Sequence, residues 1–412
     1  MTKTKNKKPV RTLFISHGPL LFGAERSLLA FLKGVNREII EPYLLVSHKG
    51  PLVDEVRKLN IPVIVYPIYH WVAFGQFAKK NYFQRALKVF YGLNKRAADI
   101  GSVITKNEID LVYSNTVTFV EGALAARKTI RPHIWHLREH VAGNKDLKAV
   151  LPASVISRII KALSDIIILN SRSLKQGYAF NSNDNKEIIV YNGIDTNSFR
   201  VDHDQKNHFR KELGLTEATK VVSLIGSITP RKGLNTYIEM ASKLAPKFDE
   251  IAFIIAGNGE TKLTSELKNK VNQLGLNDKF HFLGWRNDID KILIDTDLLI
   301  VSAEQEPFGR TVVEAMALGV PVVSTCCGGP EEIIVDGATG FLAPINDAEQ
   351  LAKSASKVLS DPALASSFSE KGLTRVQEMF SEDVYVKSIE SIITKLTNQY
   401  DCKKREHHAK EP

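Results

Sequence analysis

Two doubly wound α/β halves are the fold class this sequence predicts, and three observations point to it. The chain is 412 residues long, more than one compact core organises. Short apolar strands alternate with helical periodicity along both halves, the pattern of parallel strands joined by crossover helices. Charge is also divided. Residues 1–200 carry 30 Lys and Arg against 15 Asp and Glu, and the remainder carries 25 against 31, which together give the net +9. A basic half joined to an acidic half suggests two domains with different tasks.

The first strand is Thr12-Leu13-Phe14-Ile15-Ser16, followed by a Gly/Pro turn and a helix carrying Ala24 to Leu29, a strand, glycine loop and helix in sequence. Further strands are expected at 43–47, 63–66, 111–114, 134–136, 166–169 and 188–191, with helices between several of them. The second half repeats the scheme. Strand 221–225 leads through Gly226 into a helix over 234–244, then strands 252–256, 280–283, 298–301 and 320–324 follow, with a helix over 310–317. Sheets of this kind bind ligands at the carboxyl ends of their strands, so two facing halves would place a site in the cleft between them. The polar stretch 195–207 reads as a linker. A last amphipathic helix is expected over 381–398, with a polar, frayed tail at 401–412.

Composition narrows the class. Three cysteines, two of them adjacent (Cys326 and Cys327), make neither a disulfide framework nor a zinc site, and they suit a reducing compartment. No run reaches the roughly 20 apolar residues of a membrane helix, and His17, Gly18 and Pro19 break the apolar stretch behind the Lys-rich start, against a secretory signal. A cytoplasmic protein is expected. The basic half would face something anionic: a phospholipid surface, a lipid phosphate or nucleic acid.

The densest motif runs from Glu306-Pro307-Phe308-Gly309-Arg310-Thr311-Val312-Val313-Glu314 to Val323. A strand ends at Val301, a polar loop follows, and a helix opens near Arg310. Free backbone N–H groups at such a start make an anion site that needs no metal. Glu314 lies about one turn in, where its carboxylate can accept two hydrogen bonds from a ribose diol. A capped helix with surface acids would use the same residues. Gly226-Ser227-Ile228-Thr229-Pro230-Arg231-Lys232-Gly233 also joins a strand to a helix. Its two cations can neutralise a diphosphate leaving group or simply be solvated.

Together these motifs resemble the family-4 retaining glycosyltransferases of the GT-B fold, two Rossmann-like domains facing across a cleft, over nearly the whole chain. The glutamates in the Glu306-Pro307-Phe308-Gly309 and Glu314-Ala315-Met316-Ala317 frame, the Arg231-Lys232-Gly233 loop and Asn192-Gly193-Ile194-Asp195 with Phe199 carry the likeness. Gly23-Ala24-Glu25-Arg26-Ser27 resembles the family's N-terminal glycine loop, although Phe22 stands where a second glycine is usual. The resemblance implies an acceptor-side domain over 1–200, a nucleotide-sugar domain over 201–375, a helix over 376–400 returning to the first domain, and a tail over 401–412. It implies that Glu314 holds the ribose, that Arg231 and Lys232 stabilise the leaving diphosphate with Gly226 beside them, and that the backbone from Phe308 through Gly309, Arg310 and Thr311 to Val312 cradles diphosphate and sugar. Glu306 would lie by the transferred sugar, and Gly23 would approach the phosphates. Trp135-His136-Leu137-Arg138-Glu139 resembles the family's histidine motif and would set His136 beside the reacting sugar. Gly284-Trp285-Arg286 matches its nucleobase loop, where Trp285 could equally be packing.

By the same resemblance, transfer retains configuration without a carboxylate nucleophile, the leaving phosphate helping to accept the acceptor's proton. No cofactor and no metal are expected, with a nucleotide-diphosphate sugar as donor and a glycan or lipid-linked acceptor. Nine aromatics between Tyr66 and Tyr91, interleaved with Lys79, Lys80, Arg85 and Lys88, suit an anionic membrane interface or stacking on sugar rings. A helix packing its aromatic side inward would show the same composition. The rival readings are a catalytically idle GT-B subunit, a GT-B phosphorylase or epimerase, and a nucleic-acid binder. The idle subunit would lose site residues, which are all present here. No phosphorylase lysine motif and no nucleic-acid module accompany the chain.

Overall fold

In a computed structural model of the chain, the structure describes residues 8–74, 82–144, 146–178, 180, 185–196, 199 and 207–408. The chain divides into two units, one of residues 1–143, 147–193 and 382–412, the other of 144–146 and 194–381.

In the first unit, β1 (Val10–Ser16), β2 (Ile40–Val46), β3 (Val63–Val65), β5 (Leu111–Ser114), β6 (His133–Leu137), β8 (Ile166–Leu169) and β9 (Glu187–Ile189) form a seven-stranded sheet. Their order is β3-β2-β1-β5-β6-β8-β9, and each neighbouring pair is parallel. The central strands are apolar almost throughout because helices cover both faces. Two short strands outside the sequence reading, β4 (Val72–Phe74) and β7 (Leu147–Ala149), pair antiparallel. The chain's last helix, Glu382–His408, belongs to this unit, where Tyr385, Ile389, Ile393 and Leu396 pack into the core with Phe14, Leu28 and Phe31. The expected frayed tail is thereby corrected, since residues 401–408 continue this helix.

The second unit holds β10 (Lys220–Ile225), β11 (Ile251–Ala256), β12 (Phe280–Gly284), β13 (Leu298–Val301), β14 (Val322–Thr325) and β15 (Phe341–Ala343) in the order β12-β11-β10-β13-β14-β15, again parallel. Three residues long, β15 was not anticipated. The chain winds outward from β10 to β12, returns to β13, and winds the other way. The switch therefore falls between β10 and β13, where the loops at the strand ends diverge and leave a crevice. The Leu234–Leu244 helix buries Tyr237, Ile238, Ala241 and Leu244 against the sheet. Of the expected linker, residues 197–198 and 200–206 lie outside the described residues.

Candidate active site

Both principal motifs meet at the switch of the second unit. After β10 the chain turns through Pro230–Lys232, and Gly233 lets it run against the end of β13. Gly233 has φ 63°, and a Cβ there would stand 1.9 Å from the carbonyl oxygen of Ser302, so only glycine allows this approach. Three hydrogen bonds stitch the loops. The Glu304 amide donates to the Arg231 carbonyl at 2.8 Å, the Ser302 hydroxyl to the Lys232 carbonyl at 3.1 Å, and the Glu306 amide to the Cys327 carbonyl at 2.8 Å.

The side chains converge as well. Lys232 Nζ lies 2.5 Å from Glu306 Oε2, and Arg231 Nη1 lies 3.5 Å from the same oxygen. Arg231 also donates through Nε to Asp146 at 2.7 Å and through Nη1 to the Gln305 carbonyl at 3.1 Å. Burial would raise the Glu306 carboxyl, but Lys232 and Arg231 overcome that and hold it at about 2. Glu306 is thus paired as an anion with both cations in this structure.

The Arg310–Ala317 helix starts just beyond, with Gly309 as its left-handed N-cap at φ 98° and no side chain capping it. The Val312 amide closes the first turn on the Gly309 carbonyl at 2.9 Å, and the start of the helix dipole favours an anion there. Glu314 is buried one turn in and accepts from Arg310 Nε at 2.7 Å, while Arg310 Nη1 is buried without a partner among the described residues. Arg231, Lys232, Glu306, Phe308, Gly309, Arg310, Thr311, Val312 and Glu314 therefore lie on two loops and one helix at the carboxyl ends of neighbouring strands. Gly226, with φ 152°, ends β10, and a Cβ on it would meet Lys232 Cε and Nζ at 3.4 Å.

Arg286 follows β12, two strands along the sheet. Its guanidinium is committed to Glu212 at 2.5 and 3.0 Å and to Asp288 at 2.8 and 2.7 Å. Trp285 is 62% exposed, so packing does not explain it. Among the described residues, no group of three or more His, Cys, Asp or Glu is gathered as a metal site would need.

In the first unit, the histidine motif lies on β6 and just after it. His136 is fully buried, with Nδ1 bonded to Tyr113 Oη at 2.5 Å and to Arg138 Nη2 at 3.3 Å. Arginine can only donate, so Nδ1 accepts and the ring's proton sits on Nε2, which has no partner among the described residues. Burial, then the Arg138 charge, push His136 well below its ordinary range. Strand alternation turns this side chain into the core, where Arg138 also donates to Asn115 at 2.7 Å, Asn192 at 2.6 Å and Tyr385 at 2.9 Å. His136 is thus an enclosed ring, bonded to Tyr113 and Arg138.

The strand ends instead gather a titratable group that the sequence reading did not assemble. His17, after β1, lies 3.0 Å from Glu25, and its ring centroid is 5.8 Å from that of His70. Glu25 is buried, and its Oε2 has no partner among the described residues. Burial alone would lower His17, but Glu25 and Glu139 outweigh it and raise it above its usual value. Burial and the neighbouring His17 and His48 push His70 down to about 4, and burial pushes Glu139 up against the pull of His17. Glu25 and Glu139 stood in quoted motifs only as neighbours of Gly23 and His136. Titratable residues placed directly after a strand were the available signal. Gly23 opens the Gly23–Gly34 helix, with open space where a Cβ would stand.

The aromatic segment is also placed. Trp71 is buried and stacks on Trp135 with centroids 6.1 Å apart, but Tyr82, Phe83, Phe90 and Tyr91 are exposed on and beside the Tyr82–Phe90 helix. The inward-packing alternative does not hold for that helix. Phe77, Lys79 and Lys80 lie outside the described residues.

Residues 205–375 match the family model of glycosyl transferases group 1. The chain is 30% identical over 231 residues to the N-acetyl-alpha-D-glucosaminyl L-malate synthase of Bacillus anthracis, covering 56% of this chain and 59% of that protein. It is 24% identical over 362 residues to an Escherichia coli UDP-Gal:alpha-D-GlcNAc-diphosphoundecaprenol alpha-1,3-galactosyltransferase, covering 84% and 87%. The crystal structure of Anabaena HepE in complex with UDP and glucose has a TM-score of 0.77 to this chain at 23% identity, covering 94% of this chain and all of that one. At that identity the likeness is one of fold.

Proposed function

We propose that the chain, which has a GT-B fold and matches the glycosyl transferases group 1 model over residues 205–375, moves a sugar from a nucleotide-diphosphate sugar to a glycan or lipid-linked acceptor with retention of configuration. The observation that carries this reading is the meeting of Lys232, Arg231 and Glu306 beside the start of the Arg310–Ala317 helix. Two cations and a helix start at one strand switch make a receptacle for a diphosphate.

The chemistry follows from the charges. In this structure the Glu306 carboxylate pairs with both cations, as a phosphate would. A bound diphosphate draws Lys232 and Arg231 onto its oxygens, where they stabilise charge that grows as the glycosidic bond breaks. The backbone from Phe308 to Val312 cradles the diphosphate and sugar, Gly226 gives Lys232 room, and Glu314, held by Arg310, accepts from the ribose hydroxyls. The loop at Gly284–Arg286 receives the nucleobase through backbone atoms. With His136 neutral and enclosed, the acceptor's proton goes to the leaving phosphate. No metal is assigned a part. The kinship with a diphosphoundecaprenol-dependent galactosyltransferase supports a role in cell-surface polysaccharide or glycolipid synthesis, with the acceptor met at an anionic membrane.

The test screens nucleotide sugars for a rise in melting temperature, then measures nucleoside diphosphate release with and without EDTA. One nucleotide sugar should stabilise the protein, and Lys232→Met should slow release by about 10²–10³-fold. Release at the wild-type rate in Lys232→Met, or stabilisation by no nucleotide sugar, overturns the assignment. Loss of release in EDTA overturns the metal-independent part alone.

A further inference from the structure

We infer that the Tyr82–Phe90 helix, with Tyr91, seats the first unit on an anionic lipid bilayer by inserting one apolar face. Phe83, Leu87, Phe90 and Tyr91 follow one another at helical spacing, so they share a face. They are 72%, 59%, 46% and 80% exposed. A water-facing helix seldom displays so much apolar surface unless something covers it.

The opposite face is anchored. Val89 is buried and Ala86 packs against the core cluster of Trp71, Val72 and Trp135. At the helix start, Tyr82 Oη donates to the Val150 carbonyl at 2.7 Å and Arg85 Nη2 to the Lys148 carbonyl at 2.6 Å. The exposed aromatics are therefore presented by a fixed support.

Charge identifies what covers them. No Asp or Glu lies between Glu55 and Asp99, a stretch holding eight Lys and Arg. Of these, Lys88 and Lys95 are exposed, as is Lys148, whose carbonyl accepts from Arg85. Cations flanking an apolar, aromatic face match anionic headgroups above a hydrocarbon layer. They oppose pairing with a second copy of this chain, which would set two such surfaces against each other. Arg85 is also close enough to His70 to influence its protonation, so the seated helix would adjoin the His17, Glu25 and His70 group. Such seating deepens the proposed transfer to a lipid-linked acceptor, yet vesicle binding needs no turnover, so the two can fail separately.

The test is flotation of the full chain with vesicles of pure phosphatidylcholine, or of equal parts phosphatidylcholine and phosphatidylglycerol. Wild type should float with the mixed vesicles, and less so as salt is raised. Phe83→Ser/Leu87→Ser/Phe90→Ser should lower that partition more than about a hundredfold. Lys88→Glu/Lys95→Glu, which leaves the apolar face whole, should lower it at least about tenfold on mixed vesicles only. Wild type that floats with neither vesicle overturns the inference, and so does a triple variant that binds like wild type. A wild-type dimer that the triple variant dissolves, with no vesicle binding, assigns the face to self-association and overturns it as well.

Discussion

Replacing Lys232 with methionine should cost stability as well as activity, and a second substitution should restore only the stability. Glu306 and Lys232 are 14% and 15% exposed, so removing the ammonium leaves a mostly buried carboxylate with only Arg231, at 3.5 Å, for a counter-charge. Breaking a buried pair from one side costs about 3–5 kcal/mol, and the remaining guanidinium favours the lower end. Glu306 held at about 2 against an ordinary 4.5 leads to a similar figure, about 3 kcal/mol at 1.36 kcal/mol per unit. In a unit of this size that is roughly 6–12 °C in melting temperature. Lys232→Met/Glu306→Gln removes the stranded charge and should recover most of the loss, while nucleoside diphosphate release stays low because the cation is still missing. Thermal unfolding at neutral pH, followed by fluorescence, reads the first effect and a coupled release assay the second. The pH dependence gives a second check. The wild-type carboxylate is lower in the folded state, so its contribution is complete above about pH 4.5 and drains away as pH falls towards 2, whereas Glu306→Gln should lack that component. Equal melting temperatures for the single and double variants would refute the reasoning.

Other outcomes are equally specific. His133 is buried between Ser114 and the Leu163 carbonyl, and burial pushes it to about 3; the unfolded chain takes up a proton near pH 6.5 that the folded one refuses, so stability should fall as pH drops from 6.5 towards 3, with a shallower slope in His133→Gln by thermal unfolding. Glu25→Gln should lower the titration midpoint of His17, read from its imidazole resonances by NMR, because Glu25 is the chief group raising it. Gly233→Ala must relieve a 1.9 Å contact with the Ser302 carbonyl at positive φ, and should destabilise the protein by about 2 kcal/mol or more in urea unfolding.

How much could be read in the sequence follows the range of the interactions. The Leu234–Leu244 and Arg310–Ala317 helices and the long central strands were legible because periodicity and glycine boundaries act within a few residues. The neighbourhood of Arg231, Lys232, Glu306 and Glu314 was legible because each motif follows its own strand, and strand ends at a switch meet. The short strands β4, β7 and β15 were not, since they lack the β-branched runs that mark the equally short β3 and β9, and their pairing is set by distant segments. The same limit hid the group of His17, Glu25, His70 and Glu139, contributed by four separate segments that only the sheet order brings together. The burial of His136 was hidden for a related reason: alternation along β6 decides which face of the sheet a side chain takes, and register is set by neighbouring strands.

The return of the Glu382–His408 helix bears on how the polypeptide matures during synthesis. Tyr385, Ile389, Ile393 and Leu396 complete a hydrophobic interior most of whose other members come from residues 10–190. When the ribosome has made the first 193 residues, that interior still lacks a wall, whereas residues 194–381 contain nearly everything their own sheet requires. The later-made portion can thus reach its native packing before the earlier one, and the N-terminal strands must wait, partly uncovered, for the last helix to emerge. A nonsense mutation shortly before Glu382 would leave the nascent amino-terminal half open to aggregation, although it touches none of the proposed donor-binding residues.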